Sequence, residues 1–129
     1  MVMGNKTYQQ IYQKWQDDPE GFWAEAAQDL SWDRPWDQVL ECERAPLYRW
    51  YAGAKTNTCY NALDRHVEAG HGDRTALIYD SAMTGAVKKF SYDVLLNQVA
   101  KFAGVLEGLA VKKGDRVLLY MPMIPEAVM

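Results

Sequence analysis

A continuous apolar run near the C-terminus limits the folds open to this chain more than any other feature. Residues 117–121 read Val-Leu-Leu-Tyr-Met, without a charge and without alternation of polar and apolar side chains. This pattern is typical of a strand covered on both faces in an α/β sheet. Such a strand needs neighbouring strands and flanking helices, and the 129-residue chain offers few of them before this point. We therefore predict an α/β fold that the sequence begins but does not complete.

Two amphipathic helices are predicted before residue 31. Residues 17–20, Asp-Asp-Pro-Glu, indicate a stop and a restart, with Asp18 as the N-cap of the second helix and Pro19 at its first helical position. Apolar side chains recur at i, i+3, i+4 and i+7 in both helices. The members are Tyr8, Ile11, Tyr12 and Trp15, then Phe22, Trp23, Ala26, Ala27 and Leu30. Core or subunit packing explains the aromatic stripe, and a stacking platform for sugars or bases is the alternative.

Extended structure and turns are predicted between the second and third helices. Residues 31–46 hold two prolines and two tryptophans without a sustained period, which indicates an extended, packed connection. Residues 61–69 have leucine and valine four apart and are followed by glycine, which favours a short helix. Residues 75–79 and 87–92 are rich in strand formers on either side of a turn-like stretch, so we expect a β-hairpin.

The third helix has the clearest signal in the chain. Ser91 can cap its start, and apolar residues hold helical spacing to about Leu109. Those residues are Val94, Leu95, Val99, Phe102, Ala103 and Leu106. A Lys-Lys-Gly-Asp turn at 112–115 separates this helix from the apolar run, and Pro122 and Pro125 are expected to open another helix.

No motif that carries chemistry is complete in this sequence. Residues 53–56, Gly-Ala-Lys-Thr, resemble the end of a phosphate-binding loop, but glycine is missing at both Ala54 and Arg49. His66 and His71 are the only histidines, and without a nearby cysteine they do not supply the three or four ligands of a zinc site. We therefore predict no catalytic, no cofactor-binding and no metal-binding residue.

Cysteine usage and charge exclude several classes of protein. Cys42 and Cys59 are the only cysteines, without a Cys-x-x-Cys pair, and we expect both to be reduced and inert. The net charge is −3 with scattered Lys and Arg, so the basic stripe of a nucleic-acid-binding protein is missing. There is also no signal-peptide core and no run of 18 apolar residues. We expect no membrane association and a cytoplasmic protein.

Two blocks of the sequence resemble acetyl- and propionyl-CoA synthetases. The first, residues 50–66, begins with Trp-Tyr and ends with Tyr-Asn-Ala-Leu-Asp-Arg-His. The second, residues 111–126, is the run VKKGDRVLLYMPMIPE. Upstream, residues 19–25 (PEGFWAE) and 36–40 (WDQVL) resemble the opening helices of this family and the loop that follows them. The chain is thus similar, over nearly its whole length, to the N-terminal segment of a short-chain acyl-CoA synthetase of the adenylate-forming superfamily.

This resemblance implies a domain organisation and an activity. Residues 1–60 would form the N-terminal helical and extended cap of the family, and residues 61–129 would begin its AMP-binding large subdomain. The family joins a carboxylate to CoA at the expense of ATP, with release of AMP and pyrophosphate. ATP, Mg²⁺ and CoA are therefore implied for the full-length enzyme. No residue of this chain matches a catalytic position of the family, so the chain alone is expected to be structural and inactive.

The resemblance also implies a substrate preference and partners. Residues 22–25 and 45–50 look more like propionyl-CoA than acetyl-CoA synthetases, so propionate is expected to be favoured over acetate. One departure is Ala110, where the family usually has glycine. The implied partner is the remainder of the polypeptide, and without it we expect self-association or partial disorder beyond about residue 110. The alternative is a stand-alone interaction or oligomerisation module without enzyme activity.

Overall fold

The computed structural model describes residues 7–129. The chain divides into two compact units, and the boundary along the sequence lies between Thr58 and Cys59. The first six residues of the predicted cap, 1–60, lie outside the described residues. The class is mixed, with helices and two small antiparallel sheets, which confirms the predicted α/β composition.

The first unit contains two helices and a strand pair. Its elements are α1 (Tyr8–Asp17), α2 (Pro19–Ala27), β1 (Gln38–Glu41) and β2 (Arg49–Ala52). Thr7 forms a capping box with Gln10 at the start of α1. The predicted cap of α2 is confirmed, because the Asp18 carboxylate accepts the Gly21 N–H at 2.9 Å and Pro19 is the first helical residue.

The predicted connection at residues 31–46 is wrong in one respect, because it contains β1. This strand pairs with β2 in an antiparallel register that sets Leu40 opposite Trp50 and Glu41 opposite Arg49. The Arg49 guanidinium also donates to the Glu41 carboxylate at 3.4 Å. A four-residue strand is too short to show a period, and its stability comes from these cross-strand pairs.

The second unit consists of helices and a hairpin. Its elements are α3 (Thr58–Ala62), α4 (Asp64–Glu68), β3 (Thr75–Ser81), β4 (Ala86–Ser91), α5 (Tyr92–Gly108) and a short 3₁₀ helix (Pro125–Val128). The predicted hairpin is confirmed as β3 and β4, which pair antiparallel. The helix predicted at 61–69 is split into α3 and α4 at Leu63, whose side chain is buried.

Helix α5 packs against both strands of the hairpin and against α4. It begins where predicted, since the Ser91 hydroxyl accepts the Val94 N–H at 3.3 Å. Ser91 is also the last residue of β4, so strand and helix are joined without a loop. The only large aliphatic side chain of α5 that is buried is Leu95.

The buried strand predicted at residues 117–121 is not formed. These residues have no secondary structure, and Leu118 and Tyr120 are 90% and 98% exposed. A segment becomes a strand only when a neighbour takes up its N–H and C=O groups, and the four strands of residues 7–129 all pair elsewhere. The final helix predicted after Pro122 is present only as the 3₁₀ helix Pro125–Val128.

Candidate functional site

Five aromatic side chains form a cluster in the first unit, and we call this set the aromatic cluster: Trp23, Trp32, Trp36, Trp50 and Tyr51. Ring centroids of Trp32, Trp36 and Tyr51 lie 5.2–5.3 Å apart pairwise. Trp50 lies 6.1 Å from both Trp23 and Tyr51. Tilted and edge-on rings at these distances are favourable. The rings contact one another, which supports packing rather than a platform for a ligand.

Hydrogen bonds fix the polar ends of this cluster. The Trp32 indole N–H donates to the Ala27 carbonyl at 2.8 Å, and the Tyr51 hydroxyl donates to the Trp23 carbonyl at 3.0 Å. Both acceptors belong to α2. Burial raises the pKa of Tyr51, so its hydroxyl stays protonated as the donor. The cluster thus ties α2 to the segment between residues 32 and 51.

Tyr51 has an unusual backbone conformation that the sequence analysis did not detect. Its φ is +51°, in the left-handed region that a bulky side chain rarely adopts. Such a conformation persists only where surrounding contacts require it. Here the contacts are the rings of Trp32 and Trp36 and the hydrogen bond to α2. No local sequence signal marks the position.

The aromatic stripe of α1 lies on the surface of the same unit. Tyr8 and Tyr12 stack at 5.9 Å with an interplanar angle of 9°, and Tyr12 lies 5.6 Å from Trp15. These residues line a shallow apolar depression of about 320 Å³ together with Ile11, Phe22 and Trp23. It offers almost no polar atom that could orient a sugar or a base.

The loop that resembles a phosphate-binding motif uses its N–H groups within the chain. Ala54 N–H donates to the Tyr51 carbonyl at 3.0 Å, and Lys55 N–H donates to the Arg34 carbonyl at 2.9 Å. The Asp37 carboxylate lies against Gly53, so close that a Cβ at this position would collide with it. A phosphate would meet a negative charge and find these two donors already occupied.

The strand-to-helix junction at α5 is a second place to examine for phosphate binding, since helix N-termini attract anions. Here the Tyr92 and Asp93 N–H groups donate to the carbonyls of Arg74 and Gly72, at 3.0 and 2.9 Å. Asp93 adds a carboxylate to the first turn. The residues present therefore do not fit the phosphates of ATP or CoA at either location.

The histidines and cysteines do not converge on a metal. No group of three or more His, Cys, Asp or Glu side chains that could hold an ion occurs among residues 7–129. The His66 ring lies 4.9 Å from the Tyr92 ring. Partial burial and the nearby Asp64 raise the pKa of Cys59, which disfavours the reactive thiolate. Both cysteines are free and exposed.

The second unit has an apolar groove of about 670 Å³ between α5 and residues 117–121. We call it the α5 groove. Its floor is formed by Phe102, Val105, Leu106, Val117, Leu119 and Met121, and Gln98, Lys101 and Glu126 stand among the other lining residues. Alternate residues of the apolar run thus face α5, whereas Leu118 and Tyr120 are almost fully exposed.

Comparison with known proteins matches both halves of the sequence to known families. Residues 8–62 match the family described as acetyl-coenzyme A synthetase N-terminus, and residues 63–129 match the family described as AMP-binding enzyme. The chain belongs to the AMP-binding enzyme family. This confirms the predicted resemblance to the N-terminal segment of short-chain acyl-CoA synthetases. The division into domains predicted at residue 60 stays a prediction.

Individual relatives agree with this assignment. The chain is 50% identical over 111 residues to human acyl-CoA synthetase short-chain family member 3, mitochondrial, covering 86% of the chain and 16% of that protein. It is 47% identical over 120 residues to acetyl-coenzyme A synthetase of Deinococcus radiodurans, covering 93% and 18%. The structure of acetoacetyl-CoA synthetase from Streptomyces lividans matches with a TM-score of 0.74 and 31% identity, covering 89% and 18%. The chain therefore spans less than a fifth of the length of these relatives.

Ala110 ends α5 in a left-handed conformation with φ +63°. Val111 N–H donates to the Leu106 carbonyl at 3.1 Å, and Ala110 N–H donates to the Glu107 carbonyl at 2.9 Å. These two bonds define a Schellman motif, in which glycine is favoured at the left-handed position. The turn is made here without glycine and at a cost in strain.

None of the helices in residues 7–129 combines the length and the apolar character that crossing a bilayer requires.

Proposed function

We propose that this chain is the N-terminal part of an ATP-dependent short-chain acyl-CoA synthetase, which forms acyl-CoA, AMP and pyrophosphate from a carboxylate, ATP and CoA. One observation carries the proposal: the two family matches are contiguous and together span residues 8–129. The named acyl-CoA and acetyl-CoA synthetases among the relatives support it. Mg²⁺ would accompany ATP in the complete enzyme, because it neutralises charge on transferring phosphoryl groups.

Within that enzyme we assign the chain a structural role without catalysis. At the loop of residues 53–56 and at the start of α5, two N–H groups each already donate to carbonyls of the chain, and a carboxylate stands nearby. No step of the reaction is therefore assigned to these residues. The chain contributes instead a folded aromatic unit and a second unit with an exposed apolar groove.

The proposed partner of the α5 groove is the remainder of the same polypeptide. Residues 117–121 contain no charge, and their side chains alternate between the groove and the opposite side. This arrangement suits a strand that receives neighbours along both edges and an apolar layer over Leu118 and Tyr120. The matched region covers only 16% and 18% of these relatives, which supports a partner within one chain.

A chimera tests the proposal directly. The matched segment of Deinococcus radiodurans acetyl-coenzyme A synthetase would be replaced by this chain, and acetyl-CoA formation would be measured with ATP and Mg²⁺. We expect kcat/KM within about tenfold of the parent enzyme, a change of about 1.4 kcal/mol. Leu119→Asp in the groove should abolish activity, because it places a charge in an apolar interface. Met83→Asp, at a position that is 98% exposed on the hairpin turn, is the matched control.

Two outcomes would contradict this assignment. One is a soluble, folded chimera without activity, and the other is equal activity of the Leu119→Asp and Met83→Asp chimeras. The chain alone should show only background pyrophosphate exchange with propionate, and titration calorimetry with Mg-ATP or CoA should show no saturable heat. Saturable binding tighter than about 100 μM, or roughly 5.5 kcal/mol, would refute the purely structural role.

We propose that the complete enzyme prefers propionate to acetate. We also propose that it is located in the cytoplasm. The substrate proposal rests on the likeness of residues 22–25 and 45–50 to propionyl-CoA synthetases. The test is kcat/KM for both acids, measured with the polypeptide made from the whole reading frame. A tenfold preference for acetate would overturn the substrate choice and leave the reaction class intact.

A second candidate function is an interaction module without enzyme activity. The exposed α5 groove favours it, because monomeric proteins rarely leave a contiguous apolar surface uncovered. The chimera separates the two candidates. An interaction module would not restore a synthetase from which the corresponding residues have been removed.

A further inference from the structure

We draw no further inference here: the strongest candidate, the apolar groove between α5 and residues 117–121, belongs to the surface that the proposed function already assigns to the remainder of the polypeptide.

Discussion

Large apolar side chains are arranged differently in the two units. In the first unit, five aromatic rings contact one another at 5.2–6.1 Å, and two of them donate hydrogen bonds to α2. In the second unit, residues 117–121 present five apolar side chains that are 43–98% exposed. The first unit supplies its own packing partners, whereas the second has an apolar surface that nothing in residues 59–129 covers.

The difference shows that a unit can form its helices and strands and still leave large apolar side chains exposed. Helix α5 and its hairpin fold with local contacts and well-made caps. The side chains of residues 117–121, in contrast, stay 43–98% exposed. We therefore expect substitutions in the first unit to change stability and substitutions at residues 117–121 to change association.

The largest effect is expected from Trp36→Ala in the aromatic cluster. Removing a buried tryptophan costs roughly 3–5 kcal/mol, and since Trp36 is only half-buried we expect a loss of about 2 kcal/mol. Circular dichroism during urea unfolding reports on the helices of both units, so it can compare substitutions in either one. Tyr120→Ala, at a position 98% exposed, should change this transition by less than about 0.5 kcal/mol. Equal effects of the two substitutions would remove the contrast between the units.

A smaller effect is expected on self-association through residues 117–121. An unpaired apolar segment can pair with a second copy of itself, so sedimentation should detect association that increases with concentration. The double substitution Leu118→Lys and Tyr120→Lys should weaken it at least tenfold, or by about 1.4 kcal/mol. The matched control is Ile78→Lys with Met83→Lys, two exposed hairpin positions in the same unit. A monodisperse wild-type monomer at all concentrations would show that residues 117–121 do not mediate self-association.

Ala110→Gly should stabilise the end of α5 by about 0.5–1 kcal/mol. Glycine relieves the left-handed strain at this position, and its greater entropy in the unfolded chain offsets part of the gain. The measurement is amide hydrogen exchange over the last turn of α5. Gly114→Ala is the reverse substitution and serves as the control. The φ of Gly114 is +99°, and an added Cβ would meet no atom within 4 Å, so only backbone strain would be introduced. This substitution should destabilise the turn around residue 114 and leave the last turn of α5 unchanged, and an Ala110→Gly protein that is no more stable would contradict the left-handed assignment.

The smallest effect concerns Tyr60 at alkaline pH. The hydrogen bond from its hydroxyl to the Glu68 carboxylate, 2.8 Å long, and the charge of Glu68 raise the pKa of Tyr60. A raised folded-state pKa gives stability that is complete below pH about 10 and is lost as the pH rises through the folded value. The free-energy difference between wild type and Tyr60→Phe should therefore be constant at neutral pH and shrink above pH about 10. Circular dichroism denaturation at several pH values measures it, with Tyr120→Phe as the control.

Helices α1, α2 and α5, the N-caps of α2 and α5, and the β3–β4 hairpin could be predicted because their signals are local. Asp18-Pro19 and Ser91 are recognisable as helix starts, and the spacing of apolar residues predicted α1, α2 and α5. Strand β1 was missed because its stability depends on β2, which follows after a connection of seven residues. The buried strand predicted at residues 117–121 was wrong, because pairing needs a partner and the four strands of residues 7–129 all pair elsewhere.

At the candidate site, the sequence alone showed only departures from known motifs. The missing glycines at Arg49 and Ala54 were sufficient to question the phosphate loop, and the structure adds the reason that its N–H groups are already bonded. The left-handed Tyr51 could not be predicted, because tertiary contacts with Trp32 and Trp36 hold it. The α5 groove likewise depends on how distant residues fold beside one another.

The direct junction between β4 and α5 makes the length of the chain critical at one point. Ser91 ends the strand and caps the helix, and no loop residue lies between them to absorb a change in length. Each residue advances an α-helix by about 100°. A single inserted or deleted residue here would turn the buried side of α5, with Leu95, away from the hairpin. We expect length variation in related sequences to be excluded from this junction and tolerated at the hairpin turn around Met83.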